Sequence, residues 1–514
     1  MNFRKRDFKK MTSIFKGSPP QEGIKRRLLL ALSLGAFLLI SSIALILTDP
    51  MWAIAKYKFR LANGSILHEL LSSEMEGGRF AVYLFNITNP DRFLSGEDPY
   101  LKLDEVGPFT YLEYRTHSEL QFDREAGVML YTPRMRSVFV PEESIGNPEE
   151  IFLTMPNIPM LSATTMIRSS PVFIRNIYNI VARQYGSQPI VKLAASKYLW
   201  GYKDPVLTFA NSLVPGLIYF NTTGIMDRLY DKNVHYHMEL GTNDDDKFKI
   251  KRIHKYTRLH PESEVFDESI LTFNDTYEGM AYPPMIGTNT PINIFRLGIC
   301  KSFEMEYHGN KTSEYGPNAF VYKFNEKMFE NNLCDVKGAC PKGVMDLSAC
   351  FYGLPMGLSK GHLLDADPKL FDRIKGLKPD PEKHSSHLVI EPKIGLTLET
   401  SWSLQANIFV GDITYNAEAK MFSNMILPIA HFKIKQPHLP SIAITALRMM
   451  YITVPKALFI TEILLMLSCL LLLVYSAWLM HWKRVHKKQS LSEKELQISS
   501  RMANEPLMSY LTIN

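Results

Sequence analysis

Residues 28–47 read LLLALSLGAFLLISSIALIL, twenty positions without a charge. At about 1.5 Å per residue this run makes roughly 30 Å of helix, one hydrocarbon thickness. Lys25, Arg26 and Arg27 stand directly before it and Asp49 just after. A cleaved signal peptide shares the basic front, but its apolar region runs only about 7–15 residues. The run therefore reads as a transmembrane helix over 28–48. A second run, ALFITEILLMLSCLLLLVYSAWLM, occupies 457–480 and is followed by Lys483, Arg484, Lys487 and Lys488. Both runs have their basic flank on the terminal side, so the positive-inside rule puts both termini in the cytosol. The expected organisation is a tail 1–27, a span 28–48, an exoplasmic or lumenal ectodomain 49–456, a span 457–480 and a tail 481–514. Glu462, one or two turns inside the second span, reads as an interfacial group rather than a deep ion site.

The charge distribution agrees. The 514-residue chain has a formal net charge of +6, yet residues 1–27 carry nine Lys/Arg against two acids and 481–514 carry six against three. The stretch 49–456 is slightly acidic, 43 against 46. A nucleic-acid partner is excluded as a reading, because the positive excess sits only in the two ends. With 46% apolar and 21% charged residues the chain is not intrinsically disordered, and it has enough apolar residues for a large core.

All five N-x-S/T acceptors, Asn63, Asn86, Asn221, Asn274 and Asn310, lie between the spans, as glycosylation of an exoplasmic domain requires. Four of the five cysteines, Cys300, Cys334, Cys340 and Cys350, cluster in the same region. An even count in an oxidising compartment suggests two disulfides, with three connectivities open. No C-x-x-C pair supports zinc instead.

Within 49–456, β-rich runs recur between Pro and Gly turn signals: Phe80–Phe85, Phe109–Tyr114, Val128–Tyr131, Val138–Val140, Phe320–Phe324, Leu388–Ile390 and Leu404–Val410. Mostly antiparallel β structure is expected. Val172–Arg183 and Ile190–Leu199 have helical periodicity and predict two or three short helices inserted into it. From Ile151 to Lys203 there is no Asp or Glu, while Arg168, Arg175, Arg183, Lys192, Lys197 and Lys203 are present. Such a segment either forms a positive patch for anionic ligands or pairs with acids from elsewhere in the fold. The chain has no G-x-S-x-G, H-E-x-x-H, G-x-G-x-x-G or G-x-x-x-x-G-K-[ST] pattern, so no catalytic residue, metal ligand or cofactor is nominated and no enzyme is expected. His235 and His237, and the run Asp244–Asp246, read as an exposed strand and an acidic turn.

Several short motifs resemble those of the class B scavenger receptors. They are Val82–Pro90 (VYLFNITNP), Glu105–Phe109 (EVGPF), Leu199–Pro205 (LWGYKDP), Tyr282-Pro283-Pro284, Cys300-Lys301-Ser302, Gly343–Cys350 (GVMDLSAC) and Ile390–Gly395 (IEPKIG). The resemblance implies a β-barrel-like ectodomain crossed by a hydrophobic tunnel and capped by a helical bundle at about 151–203. It implies lipid, lipoprotein or polyanionic ligands, with the cap cations Arg168, Arg175, Arg183, Lys192 and Lys197 as a ligand-binding platform and lipid passed toward the membrane. Plasma-membrane residence is expected, with endosomal cycling read from the C-terminal tail; the alternative is a trafficking receptor of endosomes and lysosomes that binds a protein cargo. It also suggests the pairing Cys300–Cys350 and Cys334–Cys340. The sequence departs from the family pattern in having Gln184 near the place of a cap lysine, and four rather than six ectodomain cysteines. In the C-terminal tail, Tyr510-Leu511-Thr512-Ile513 matches the Y-x-x-Φ pattern read by clathrin adaptors, with Tyr510 and Ile513 as anchors.

Overall fold

The computed structural model describes residues 21–213, 222–230, 234–257, 264–267, 273, 275–299, 301–315, 318–330, 341–351, 353–436 and 439–503. Two compact units result, residues 1–54 with 445–514, and Ala55–Ile444.

The first unit pairs the two terminal helices. Gln21–Thr48 and Val454–Ala503 both contain windows apolar enough to cross a membrane, and most of their leucines and isoleucines face outward, as lipid-facing residues do. Small residues let the helices approach: Cys469 Sγ lies 3.7 Å from the Gly35 carbonyl. Glu462 accepts a hydrogen bond from Ser42 Oγ of the facing helix, a partner that the interfacial reading did not anticipate. The second helix runs on without a break from the expected span through residues 481–503, so this part of the tail is helical; Tyr510 and Ile513 lie outside the described residues.

Among the described residues, the second unit is built on a 16-stranded sheet. Its path begins at Glu264–Asp267 and passes through Ile250–Thr257, Val234–Gly241, Val128–Phe139, Leu101–Asp123 and Met75–Ile87. It continues through Met425–Lys435, Leu396–Val410, His387–Glu391, Asn318–Phe324, Lys301–Thr312 and Ile292–Arg296 to Thr276–Tyr277. A bridge from Lys249, next to the second strand of the path, to Tyr277 in its last strand brings the two sides together and makes the sheet barrel-like. Every pairing along the path is antiparallel except the short Thr276–Tyr277 contact with Ile292–Arg296. All seven β-rich runs read from the sequence lie in strands, Val140 falling one residue past the end of Val128–Phe139.

The cap departs from expectation at one point. Val172–Gln184 is a helix, but Ile190–Ala194 is a strand, paired antiparallel with Phe152–Pro156, and of the predicted second helix only the part from Ala195 on is helical, in Ala195–Trp200. Apolar spacing over 190–199 is compatible with either period; the available partner strand decides it. The helices Ile158–Met166 and Pro205–Leu213 complete the cap. Buried Asp204 joins its parts, accepting from Asn157 Nδ2 and Ser187 Oγ at 2.9 Å each and from the Val206 amide at 2.9 Å.

Candidate functional site

The alternation of the strands sends one set of side chains into the barrel, and they do not fill it. A cavity of ≈ 320 Å³ remains, at the low end of the range for small-molecule sites. Its wall is mainly apolar, with Phe295, Leu358, Trp402, Leu404, Ala406 and Phe432 among the lining residues. Set into this wall is a charged group. Arg115 pairs with Glu113, which also accepts from the Tyr230 hydroxyl at 2.8 Å. Glu278 accepts from the Tyr131 hydroxyl at 2.6 Å, and Arg296 lies over the Trp402 ring with its Cζ 4.6 Å from the centroid. Burial pushes the Tyr131 and Tyr230 hydroxyls well above the usual tyrosine range, with the adjacent carboxylates adding to the effect, so both act as hydrogen-bond donors.

A second polar cluster is buried between the strands. Glu105 Oε1 accepts from His362 Nε2 at 2.9 Å and from His431 Nδ1 at 2.8 Å, and the His384 ring stacks on His362 with centroids 4.3 Å apart. The three imidazoles bring a nitrogen each to within 4.8 Å of one another, a spacing that would suit a metal ion. Proton placement argues otherwise. The Lys378 amide donates to His362 Nδ1 and the Asp380 amide to His384 Nδ1, both at 3.1 Å, so each ring must carry its proton on Nε2. A metal-bound histidine uses its second nitrogen as a donor, the reverse of what these two rings do. The cluster is therefore a hydrogen-bonded hub on Glu105. Burial opposes ionisation of Glu105, but the two imidazole donors hold its carboxyl well below the ordinary range. Burial lowers His431 as well, and burial followed by the neighbouring rings lowers His384 to about 4.

The five cap cations nominated from the sequence are not gathered into one patch. Arg183 pairs with Glu418 at 3.1 Å, and Arg175 lies over the Tyr415 ring at 5.0 Å. Arg168 packs on Gly411, so these three face the connection between Leu396–Val410 and Met425–Lys435. The acid-free segment thus finds an acid from elsewhere in the chain for one of its arginines. Lys192 and Lys197 are exposed and have no charged partner among the described residues. What the sequence reading missed is the outer face of helix Val172–Gln184. Val172, Phe173, Ile177 and Ile180 are 55% to 63% exposed, because the polar face with Arg175, Tyr178 and Asn179 is turned inward. Helical spacing was visible in the sequence; the inversion was not.

Of the sequons, Asn63 and Asn310 are exposed, while Asn86 is half-buried with its Oδ1 accepting from the Thr154 amide at 2.8 Å. Asn221 and Asn274 lie outside the described residues, as do Cys300, Cys334 and Cys340. Cys350 belongs to the short helix Ser348–Phe351. His237 Nδ1 lies 3.1 Å from Thr132 Oγ1 of the neighbouring strand, and Asp244 and Asp246 pair with Lys56 and Lys251.

Two apolar terminal helices and, between them, a barrel-like antiparallel domain with an apolar cavity define the class, a two-span membrane protein. The CD36 family profile matches residues 33–480, and the chain belongs to that family. It is 28% identical over 366 residues to lysosome membrane protein 2 of Homo sapiens, covering 68% of this chain and 72% of that protein. It is 26% identical over 411 residues to scavenger receptor class B member 1 of Bos taurus, covering 77% of each.

Proposed function

We propose that this protein is a scavenger-type receptor, not an enzyme, that binds lipids, lipoproteins or polyanionic particles and passes lipid toward the bilayer through the ectodomain cavity. The observation that carries this reading is the apolar-walled cavity inside the barrel. Each CH₂ buried there gains roughly 0.8 kcal/mol, so an enclosed apolar route removes most of the barrier to moving a lipid through water. The exposed apolar face of Val172–Gln184, with the exposed Lys192 and Lys197 elsewhere in the cap, supports a docking role for the cap toward an amphiphilic surface. Full-length protein purified from membranes should carry bound apolar lipid, identified by mass spectrometry. Ala406→Phe, which adds a ring to the cavity wall, should lower that lipid at least roughly threefold. Equal lipid in both proteins would remove the cavity from the function.

The orientation is part of the same proposal: both termini cytosolic, and the ectodomain exoplasmic, glycosylated and disulfide-bonded. Protease added to vesicles with their cytosolic face outward should trim only the tails. Glycosidase should lower the mass of the protected fragment, and non-reducing peptide mapping should link Cys300 to Cys350. An ectodomain cut under these conditions would reverse the topology. We further propose plasma-membrane residence with endosomal cycling through an adaptor bound at Tyr510 and Ile513.

A further inference from the structure

The two terminal helices meet along a regular seam. Ile24, Ala31, Gly35 and Ser42 are buried on Gln21–Thr48, and Cys469, Leu472, Ser476 and Leu479 are buried or half-buried on Val454–Ala503, all at the spacings of a heptad pattern. The helices run antiparallel, since Ser42 meets Glu462 and Gly35 lies against Cys469 and Leu472. Carried along that register at equal rise, Lys25, Arg26 and Arg27 come level with Leu479, within about a turn of Lys483. The second helix continues past the seam without a break. Lys483, Arg484, Lys487 and Lys488 share one side of it, within about 140° of arc at 3.6 residues per turn. Seven cations from the two ends of the chain therefore gather at one end of the helix pair. Six are exposed, Lys483 is half-buried, and none forms an ion pair among the described residues. The only acid of the first helix is Glu22, and the second helix carries none from Lys483 until Glu493.

Beside these cations runs a ladder of rings. Tyr475 stacks on Trp478, Trp478 on Trp482 with centroids 5.7 Å apart, and Trp482 meets His486 edge-on at 4.8 Å. Trp478 is 55% exposed, so the ladder lies on the outer surface of the helix. Such rings settle at the headgroup level of a bilayer, which puts the cations at the depth of lipid phosphates. A headgroup with one charge answers one cation, whereas several phosphates on one ring engage several cations at once.

We propose that the basic end of the helix pair binds a polyphosphorylated inositol lipid, with Lys483, Arg484, Lys487 and Lys488 as its main contacts and Lys25, Arg26 and Arg27 contributing from the neighbouring helix. The consequence is that the lipid identity of the leaflet at the two termini selects where the receptor resides. Assignment of that leaflet to the cytosol rests on the orientation proposed above, and the test separates the two.

Full-length protein in mild detergent is titrated with phosphatidylinositol bisphosphate, phosphatidylserine and phosphatidylcholine of the same acyl chains, and bound lipid is counted by native mass spectrometry. The bisphosphate should bind at least roughly tenfold tighter than phosphatidylserine and weaken as salt rises. The combined variant Lys483→Gln, Arg484→Gln, Lys487→Gln and Lys488→Gln should bring the bisphosphate to the affinity of phosphatidylserine and leave phosphatidylcholine unchanged. Removing as many cations from the N-terminal tail, with Lys5→Gln, Arg6→Gln, Lys9→Gln and Lys10→Gln, should keep most of the preference. Equal affinity for the bisphosphate and phosphatidylserine in the unmodified protein overturns the site, as does an equal loss in the two variants. If the helix variant does not insert, the ratio in the unmodified protein and in the tail variant still decides. Protease protection reads the orientation independently: tight bisphosphate binding with tails shielded from the cytosolic side would keep the site and reverse the leaflet.

Discussion

Gly395→Ala is expected to leave little folded receptor. Gly395 has φ +75°, and a Cβ there would stand 2.1 Å from the Tyr282 carbonyl and 2.7 Å from that of Pro283. Both contacts are backbone, so no side chain can swing aside. The surrounding segments are tightly joined. The Tyr282 amide donates to the Gly395 carbonyl at 2.7 Å, and the Ile286 amide to that of Pro392 at 3.0 Å. Fully buried Glu391 accepts from the Lys393 and Ile394 amides at 2.8 Å each. Relieving the clash means opening this joint, and the left-handed conformation adds about 1–2 kcal/mol for a residue with a Cβ. A total on the order of 4 kcal/mol is a large part of the stability of an ordinary domain. Membrane-fraction yield and thermal unfolding read the effect; a variant that melts like the unmodified protein would show that the joint is not rigid.

The Glu105 hub should make the ectodomain acid-sensitive. His384 sits at about 4 when folded against an ordinary 6.5, so the unfolded chain takes up its proton first as the pH falls. Its contribution to stability is complete above pH 6.5 and is lost progressively down to about 4. Between pH 7 and 5 this amounts to about 2 kcal/mol. Buried His431 shifts in the same direction and adds to the loss. Glu105, held below the ordinary carboxylate range, keeps its contribution through that window and loses it only under stronger acid. Thermal unfolding of the full-length protein should therefore show a lower midpoint at pH 5 than at pH 7, and His384→Gln should flatten that dependence. Glu105→Leu strips both imidazole donors of their acceptor and should cost about 2–4 kcal/mol even at pH 7, about 1–3 kcal/mol for each buried donor left unpaired. A midpoint unchanged from pH 7 to 5 would contradict the tautomers assigned to the hub.

Much of the architecture was legible because it rests on local and compositional rules. Two uncharged runs of membrane length need no tertiary context, since every backbone polar group in the hydrocarbon must be satisfied within the helix itself. Period-two alternation likewise marked the strands, because one face of each is buried and the other is not. The motifs Tyr282-Pro283-Pro284 and Ile390–Gly395 were visible as separate fragments, though not as the two sides of one joint.

The sequence by itself determined the two spans, the β class of the ectodomain and an acid-poor cap. Tertiary structure alone decided which residues meet. Glu105, His362, His384 and His431 come from four distant segments, and no spacing rule links them. Ile190–Ala194 became a strand because Phe152–Pro156 lay beside it. The cap helix turned its polar face inward because Tyr415, Asn416 and Glu418 offered it partners there. Arg296 came to lie over Trp402 through closure of the sheet, about a hundred residues apart in sequence. In each case the deciding energy is a pairwise contact whose partner the local sequence does not contain.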